Sequence, residues 1–253
     1  MILEEFDFES EAVINPSDCV EPVPDIPKLA VTCYSYKTFE RMLEKVGGEQ
    51  IAVIKNANGE NPIYKTSYKG RDIAIFMSDM GASGAGADLD ELYAMGVETV
   101  IMFGACGVLD RTIEDCSIII PNAAVRDEGL SYHYALPADE ISVNPKYMTE
   151  FIELLKEVGC TYRVGKVWTT DAFYRETRAK VARRKEQGCI CVDMECSAVT
   201  AVAQFRGKEI FQFFQAADNL DGEVWDKRSL STNVKLEEKD WATWLALELA
   251  ARI

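Results

Sequence analysis

The chain has 253 residues, of which 48% are hydrophobic and 27% are charged, so it has the composition of a globular protein. Its formal net charge of −15 argues against a basic surface that binds nucleic acid, and no apolar run is long enough to span a membrane. The eight cysteines and the single histidine do not fall at zinc-binding spacings, and the N-terminus lacks a signal-peptide pattern; we therefore expect a cytoplasmic protein with reduced thiols and no metal.

The first 27 residues are acidic and contain four prolines, and we expect them to form an extended arm that could reach a neighbouring subunit. No linker-like break follows, so residues 28–253 are predicted to form a single domain. In its first half the pattern predicts a strand over 28–35, a helix over 38–46, strands over 50–55, 63–68 and 72–78 (the last two as a hairpin), a helix over 87–95 and an apolar strand over 98–103.

The second half continues the alternation of strands and helices. The pattern predicts a strand over 116–120 continued by 123–125, a polar and aromatic loop over 126–134, a helix over 145–158, a strand over 162–168, a charged helix over 175–186, a strand over 189–192 leading into a buried helix, a strand over 209–216 and a long helix over 236–253. This order predicts an α/β fold, a three-layer α/β/α sandwich around a mixed, largely parallel sheet.

The carboxyl ends of the predicted strands carry most of the unusual polar and glycine-rich residues of the chain. These ends are residues 78–86, 104–107, 126–134, 169–174, 193–195 and 217–221. In open α/β sheets ligands bind at the carboxyl ends of strands. The coincidence is the main reason to predict an enzyme.

Two of these strand ends are rich in glycine. Residues 79–86 read DMGASGAG and residues 104–107 read GACG, and such loops can bring backbone amides close to an anion. The first pattern is neither a P-loop nor the dinucleotide-binding fingerprint. A tight turn between strand and helix explains the first loop more readily, and the small residues of the second could instead let helix and sheet pack.

Acidic side chains mark two further strand ends. Asp193 and Glu195 flank Met194 where a strand leads into a buried helix; they could complement the helix dipole or bind a ligand. Asp218 follows an apolar strand and could form a turn, or could be a partly buried acid whose raised pKa lets it hold a proton. Phe173 could wall a flat ligand or belong to the core.

Together these motifs resemble the trimer/hexamer-type nucleoside phosphorylases, a family that includes uridine phosphorylase, bacterial purine nucleoside phosphorylase and methylthioadenosine nucleosidase. The resemblance covers about residues 28–253. Its most specific part is VDMECSA at 192–198, which is similar to the family's V-E-M-E-(A/S)-A motif, preceded by TDAFY at 170–174.

The resemblance implies a role for each matching residue. Glu195 would hold the ribose hydroxyls and Asp218 would donate a proton to the base, and we expect these two to be catalytic. The expected substrate-binding residues are Asp193, Met194, Phe173, Tyr174, Cys106, Gly107, His133 and Arg178. The expected phosphate-binding residues are Gly81, Ser83, Gly104, Ala105, Lys37 and Arg126.

The sequence departs from the family pattern at the phosphate. Residues 34–38 lack the glycine and arginine of the usual phosphate loop, Met102 stands where a second arginine is expected, and Ala105 replaces a Ser or Thr. Two guanidinium groups that clamp phosphate are therefore absent. Either Lys37, Arg41, Arg126 or a cation of a partner subunit replaces them, or water is the nucleophile.

The predicted function is phosphorolysis of a nucleoside to free base and ribose 1-phosphate, by a pentosyltransferase of purine or uridine type. A nucleosidase that uses water and a non-catalytic nucleoside-binding protein are the alternatives. The predicted partners are a nucleoside and inorganic phosphate as co-substrate, with no cofactor, no nucleic acid and no membrane. The resemblance also implies a homo-oligomer, from dimer to hexamer.

Overall fold

The computed structural model describes residues 2–57, 59–230 and 233–253. The strands are β1 (Leu29–Cys33), β2 (Glu49–Asn56), β3 (Gly59–Tyr68), β4 (Arg71–Met77), β5 (Thr99–Val108), β6 (Ile118–Asp127), β7 (Glu140–Ser142), β8 (Tyr162–Thr170), β9 (Cys189–Asp193) and β10 (Glu209–Asn219). The helices are α1 (Tyr36–Val46), α2 (Ala82–Met95), α3 (Met148–Glu157), α4 (Arg178–Glu186), α5 (Cys196–Phe205) and α6 (Leu236–Arg252).

All the strands belong to one mixed sheet. Parallel pairing joins β1 to β4 and β5, β10 to β5, and β8 to β6 and β9, while β2, β3 and β4 form an antiparallel edge. Antiparallel pairing of β10 with β6 and of β5 with β9 closes a ring of five strands, β5–β10–β6–β8–β9. The predicted mixed α/β sheet and the hairpin over 63–78 are confirmed.

Helices cover both faces of the sheet because successive residues of each buried strand point to opposite sides. On one face Phe103 and Phe213 pack with α1, α3 and α6. On the other face Val100 and Met102 pack with α2 and α5. This is the predicted three-layer arrangement.

Several boundaries differ from the sequence prediction near strand ends. Strand β6 includes the first two residues of the loop predicted over 126–134, and the helix predicted from 175 begins at Arg178. The GACG segment at 104–107 lies inside β5 rather than in a loop, since its small side chains leave it free to pair with β10. Helix α2 begins at Ala82, so the last two glycines of DMGASGAG are helical. Strand β10 continues through Asp218 to Asn219.

The N-terminal arm lies over the helices of its own chain in this structure. It contains 3-10 turns at Ile2–Glu4 and Pro16–Asp18. The ring of Phe8 contacts that of Phe205 edge-on at 6.0 Å, and the Val23 N–H donates to the carbonyl of Met95 at 3.0 Å. Contact of the arm with another subunit stays a prediction. None of the helices within the described residues is both long and apolar enough to cross a membrane.

Candidate active site

A cavity of about 700 Å³ opens at the carboxyl ends of β1, β5, β8, β9 and β10. Its wall also includes the first turns of α1 and α6. The sequence prediction that the strand ends meet is therefore correct for β5, β8, β9 and β10, whereas the end of β1 was not among the predicted ends. Of the predicted site residues, the cavity is lined by Gly104, Ala105, Cys106, Gly107, Phe173, Tyr174, Asp193, Met194, Glu195 and Asp218.

Asp193 at the end of β9 anchors the start of α5. Its Oδ2 accepts hydrogen bonds from the backbone N–H groups of Glu195 at 3.0 Å and Cys196 at 2.6 Å, and its Oδ1 accepts from Thr169 Oγ1 at 2.7 Å. Burial raises the pKa of Asp193 to about 6, against the three hydrogen bonds that lower it. Both carboxylate oxygens of Asp193 thus accept hydrogen bonds from the protein itself. The residue binds free backbone N–H groups at the N-terminus of α5, as acids at helix N-termini commonly do.

A buried hydrogen-bond chain continues from Asp193 under the cavity. The Ser197 N–H donates to Thr169 Oγ1 at 3.1 Å, and Ser197 Oγ donates to Glu128 Oε1 at 2.9 Å. The other oxygen of Glu128 accepts from the Ser131 N–H at 2.9 Å. The chain ties β8, α5 and the loop after β6 together, so that the carboxyl end of β9 has a fixed position.

Glu195 is the buried carboxylate that β9 and α5 present to the cavity. Its Oε1 accepts a hydrogen bond of 2.6 Å from the backbone N–H of Gly81, which precedes α2. Gly81 has a φ of 89°, a conformation that residues with a side chain rarely adopt. Burial, and then the charge of Asp193, raises the pKa of Glu195 to about 8. A ligand that donates hydrogen bonds to this group stabilises its charged form.

Asp218 enters the cavity at an irregularity of β10. The register against β5 shifts between Ala216 and Asp218, and Asp218 then pairs with Gly107. A Cβ on Gly107 would lie 2.5 Å from Leu220 Cδ1 and 3.1 Å from Asp218 Oδ1, so glycine leaves room for both side chains. Such bulges re-aim side chains next to functional sites.

Trp225 fixes the position of the Asp218 side chain through a hydrogen bond. Its Nε1 donates to Asp218 Oδ2 at 2.7 Å, and backbone pairing of Asn219 with Asp226 fixes the loop that carries the indole. Burial raises the pKa of Asp218, while the hydrogen bond from Trp225 lowers it. Asp218 is therefore a buried acid with one oxygen engaged by the protein, which suits proton donation.

Aromatic and methionine side chains form the flat part of the wall. Phe173 lies in a 3-10 turn, Phe173–Arg175, and its ring meets that of Tyr174 edge-on at 5.0 Å. Met194 and Met80 line the same cavity. Tyr174 is 91% exposed and Met80 72% exposed, so both lie at the mouth.

Six predicted site residues do not line the cavity. Gly81 acts through its hydrogen bond to Glu195, and His133 and Ser83 are exposed elsewhere on the surface. Lys37 forms an ion pair with Glu40 at 2.6 Å. The remaining two are arginines that brace loops: Arg126 binds Ser131 Oγ and the Leu136 carbonyl and stacks on Tyr132, and Arg178 binds the carbonyls of Gly222 and Glu223.

Other charged and polar groups, which the sequence prediction missed, complete the wall. Lys239 comes from the first turns of α6, Arg175 and Glu176 from the segment after β8, and Gln215 from β10. Burial lowers the pKa of Lys239. Arg175 and Glu176, which directly follow the TDAFY motif at 170–174, lay close enough to a motif to be found from the sequence. Within the described residues no group of three side chains is placed to hold a metal ion.

Residues 28–253 match the sequence model of the Phosphorylase superfamily, and the chain belongs to that superfamily. It is 30% identical to guanosine phosphorylase of Halorubrum lacusprofundi over 152 residues, which are 59% of this chain and 62% of that protein. It is 27% identical to a DeoD-type purine nucleoside phosphorylase of Colwellia psychrerythraea over 164 residues, 62% of this chain and 68% of the relative. The chain thus matches about three fifths to two thirds of the length of these relatives.

Solved structures agree on the fold. Uridine phosphorylase of Vibrio fischeri superposes with a TM-score of 0.79 at 22% identity, covering 96% of this chain and 100% of that one. The 5′-methylthioadenosine/S-adenosylhomocysteine nucleosidase of Campylobacter jejuni superposes with a TM-score of 0.73 at 16% identity, covering 90% and 100%. The predicted phosphorylase-like fold is confirmed.

Proposed function

We propose that the protein is a nucleoside phosphorylase, a pentosyltransferase that cleaves the N-glycosidic bond of a nucleoside to give a free base and ribose 1-phosphate. The observation that carries the proposal is the arrangement of the cavity. A buried carboxylate (Glu195), a buried acid (Asp218) and an aromatic ring (Phe173) reach one cavity from three different strand ends. Relatives named guanosine phosphorylase and purine nucleoside phosphorylase support it.

Glu195, Asp218 and Phe173 would each contribute to a different part of the reaction. A phosphate oxygen forms a bond to C1′ of the ribose while the C1′–N bond breaks, and the electron pair of that bond goes to the base. Positive charge develops on the sugar, and Glu195 stabilises it by accepting hydrogen bonds from the ribose hydroxyls. Negative charge develops on the base, and Asp218 neutralises it by donating a proton. Phe173 and Met194 pack on the base and the sugar.

Phosphate needs donors and positive charge, and the cavity offers both near α1 and α6. Lys239 supplies an ammonium group, and Ser35 and Thr38 supply hydroxyl groups at the start of α1. We therefore place the phosphate beside Gly104 and Ala105. Lys239 is then the cation that binds it, instead of Lys37 or Arg126, which the sequence had suggested. No cofactor takes part in this scheme.

The acid Asp218 favours a purine, because a purine leaving group can accept a proton at N7. The names of the guanosine and purine nucleoside phosphorylase relatives favour the same class.

The exposed Tyr174 and Met80 at the mouth favour a homo-oligomer, from dimer to hexamer, in which a neighbouring subunit covers them. Light scattering tests the assembly, and a species of 28.3 kDa would contradict it.

Phosphate dependence is the decisive experiment. Release of free base from guanosine, inosine, adenosine and uridine is measured with and without inorganic phosphate, and ribose 1-phosphate is quantified. We expect turnover only with phosphate, with ribose 1-phosphate formed in equal amount to the base. Equal rates without phosphate would instead identify a hydrolase, and tight binding without any turnover would identify a binding protein.

A further inference from the structure

Asp88 is a buried acid outside the cavity wall that the proposed cleavage does not use. It lies in the second turn of α2 and is 2% exposed. Its Oδ2 accepts two hydrogen bonds from the loop between β4 and α2, one of 2.6 Å from the Asp79 N–H and one of 3.1 Å from Ser78 Oγ. A carboxyl group of the helix is thus bonded to the loop that leads into the same helix.

The loop that Asp88 holds also contacts the candidate active site. Two residues beyond Asp79, the Gly81 N–H donates to Glu195 Oε1 at 2.6 Å. The Gly81 carbonyl accepts a hydrogen bond of 3.0 Å from the Ala85 N–H at the start of α2. The backbone of residues 79–81 therefore joins two buried carboxyl groups, that of Asp88 and that of Glu195.

Neighbouring residues leave this loop little freedom to move. A Cβ on Gly84 would lie 2.9 Å from the Cβ of Asp79, so the first turn of α2 packs directly against the loop. The Asp79 carboxyl group accepts hydrogen bonds from Asn56 Nδ2 at 2.7 Å and Asn61 Nδ2 at 3.3 Å, which connect it to β2 and β3. A rotation of the loop that removed the Asp79 N–H from Asp88 would therefore also displace Gly81.

The hydrogen bonds to Asp88 involve a charged acceptor. Burial raises the pKa of Asp88 to about 6, against the hydrogen bonds from Asp79 and Ser78 that lower it, so the group is ionised at neutral pH. Hydrogen bonds to an ionised acceptor are roughly twice as strong as those between neutral groups. An apolar side chain at position 88 would take this acceptor away from the Asp79 N–H, which destabilises the present conformation of the loop.

We propose that Asp88 is a positioning residue of the active site: by fixing the loop after β4, it places the Gly81 N–H against Glu195 and so orients the carboxyl group that receives the ribose hydroxyls. The presence of a ribose at Glu195 rests on the proposed function. The role of Asp88 goes beyond that function, because it assigns the orientation of Glu195 to a residue outside the cavity wall.

Exchange of the Gly81 amide proton tests the positioning without any ligand. Its rate is measured by NMR after ¹⁵N-glycine labelling for the wild type, Asp88→Asn and Asp88→Leu. The control Asp90→Asn changes another buried acid of α2, which binds Tyr134 and Arg206 instead. We expect exchange to be faster by about threefold in Asp88→Asn, which lacks the charge, and by about tenfold or more in Asp88→Leu, which lacks the acceptor. The control should exchange at the wild-type rate.

An Asp88→Asn variant in which Gly81 exchanges as slowly as in the wild type would overturn the proposal, whether or not Asp88→Leu folds. Equal acceleration in Asp88→Asn and in the control Asp90→Asn would overturn it too, since any loss of a buried charge from α2 would then have the same effect.

A double-mutant cycle with Glu195 tests the consequence for the ligand. Calorimetric affinities for guanosine and for guanine, which lacks the ribose, are measured for the wild type, Asp88→Asn, Glu195→Ala and the double variant. Asp88→Asn should weaken guanosine binding by about threefold or more, leave guanine binding within about 1.5-fold, and have no further effect once Glu195 is alanine. Equal losses for guanosine and guanine, or additive losses in the double variant, would show that Asp88 only supports the fold.

Failure of the proposed function gives a different result from failure of this role. A wild type that releases no base in the presence of phosphate would refute the proposed function. The exchange rate of the Gly81 amide proton does not depend on turnover, and it would still decide whether Asp88 places that N–H against Glu195.

Discussion

Glu195 and Asp193 are two residues apart, yet the structure separates their tasks. Asp193 points back into the protein and binds two backbone N–H groups at the start of α5. Glu195 faces the cavity, and one of its carboxyl oxygens accepts a hydrogen bond from the Gly81 N–H. The sequence could show that the pair lies at a strand-to-helix junction. It could not show which acid the helix uses, because that depends on side-chain direction at a single turn.

The first prediction concerns the pH dependence of stability. The pKa of Glu195 in the folded protein is raised from 4.5 to about 8, so between these values the native state binds a proton that the unfolded chain has released. The contribution of Glu195 to the free energy of unfolding therefore falls as pH rises from about 5 to 8. Glu195→Gln removes this loss, and we expect its Tm to exceed that of the wild type by about 3 °C or more at pH 8.

Thermal denaturation of ligand-free protein at pH 5, 6.5 and 8 measures this effect. At pH 5 the Glu195 carboxyl group is protonated in the native state, so the variant and the wild type should then differ by about 1 °C or less. A difference in Tm that does not grow with pH would show that Glu195 titrates normally in the fold.

The second prediction separates proton donation by Asp218 from general binding. In Asp218→Asn, kcat/KM for guanosine should fall by about a hundredfold or more, since the base must leave as an anion. The base of 7-methylguanosine already carries a positive charge and needs no proton, so its kcat/KM should fall by about tenfold or less. Steady-state rates with both substrates give the comparison, and equal losses would indicate that Asp218 only positions the base.

At the scale of elements, the helix termini at the cavity account for what the sequence prediction missed. Lys37 and Lys239 lie in the first turns of α1 and α6, but only Lys239 lines the cavity, because Glu40 holds Lys37 one turn further along α1. Arg126, near the end of β6, is likewise held by hydrogen bonds to Ser131 and Leu136 in the loop that follows. The local sequence contains these cations but does not indicate where they point.

The third prediction follows from that placement. In Lys239→Met the KM for phosphate should rise by about tenfold or more, because a half-buried charge interaction with the anion is lost, while the KM for the nucleoside changes little. Lys37→Met is the matched control and should leave both constants within about twofold of the wild type. Initial rates over a grid of phosphate and nucleoside concentrations test both variants. A larger effect of Lys37→Met than of Lys239→Met would indicate that phosphate binds beside Lys37 and not beside Lys239.

At the scale of the whole molecule, the pattern of strands and helices was sufficient to predict the layered α/β fold, and the strand ends predicted most of the cavity wall. Hydrophobic periodicity explains that success, since it reports which face of each element is buried. It does not report how strands pair. The closure of β5, β10, β6, β8 and β9 and the bulge at Asp218 arise from pairings distant in sequence.

That ring of five strands has a consequence for the order of folding. The cavity wall takes residues from β5 at 104–107, from the segment after β8, from the end of β9 and from β10, and these strands lie far apart along the chain. Contacts at such separations form slowly and late, because the loops between them must close first. A chain that lacks β10 also lacks Asp218 and one side of the rim, so the cavity exists only when these distant strands have paired.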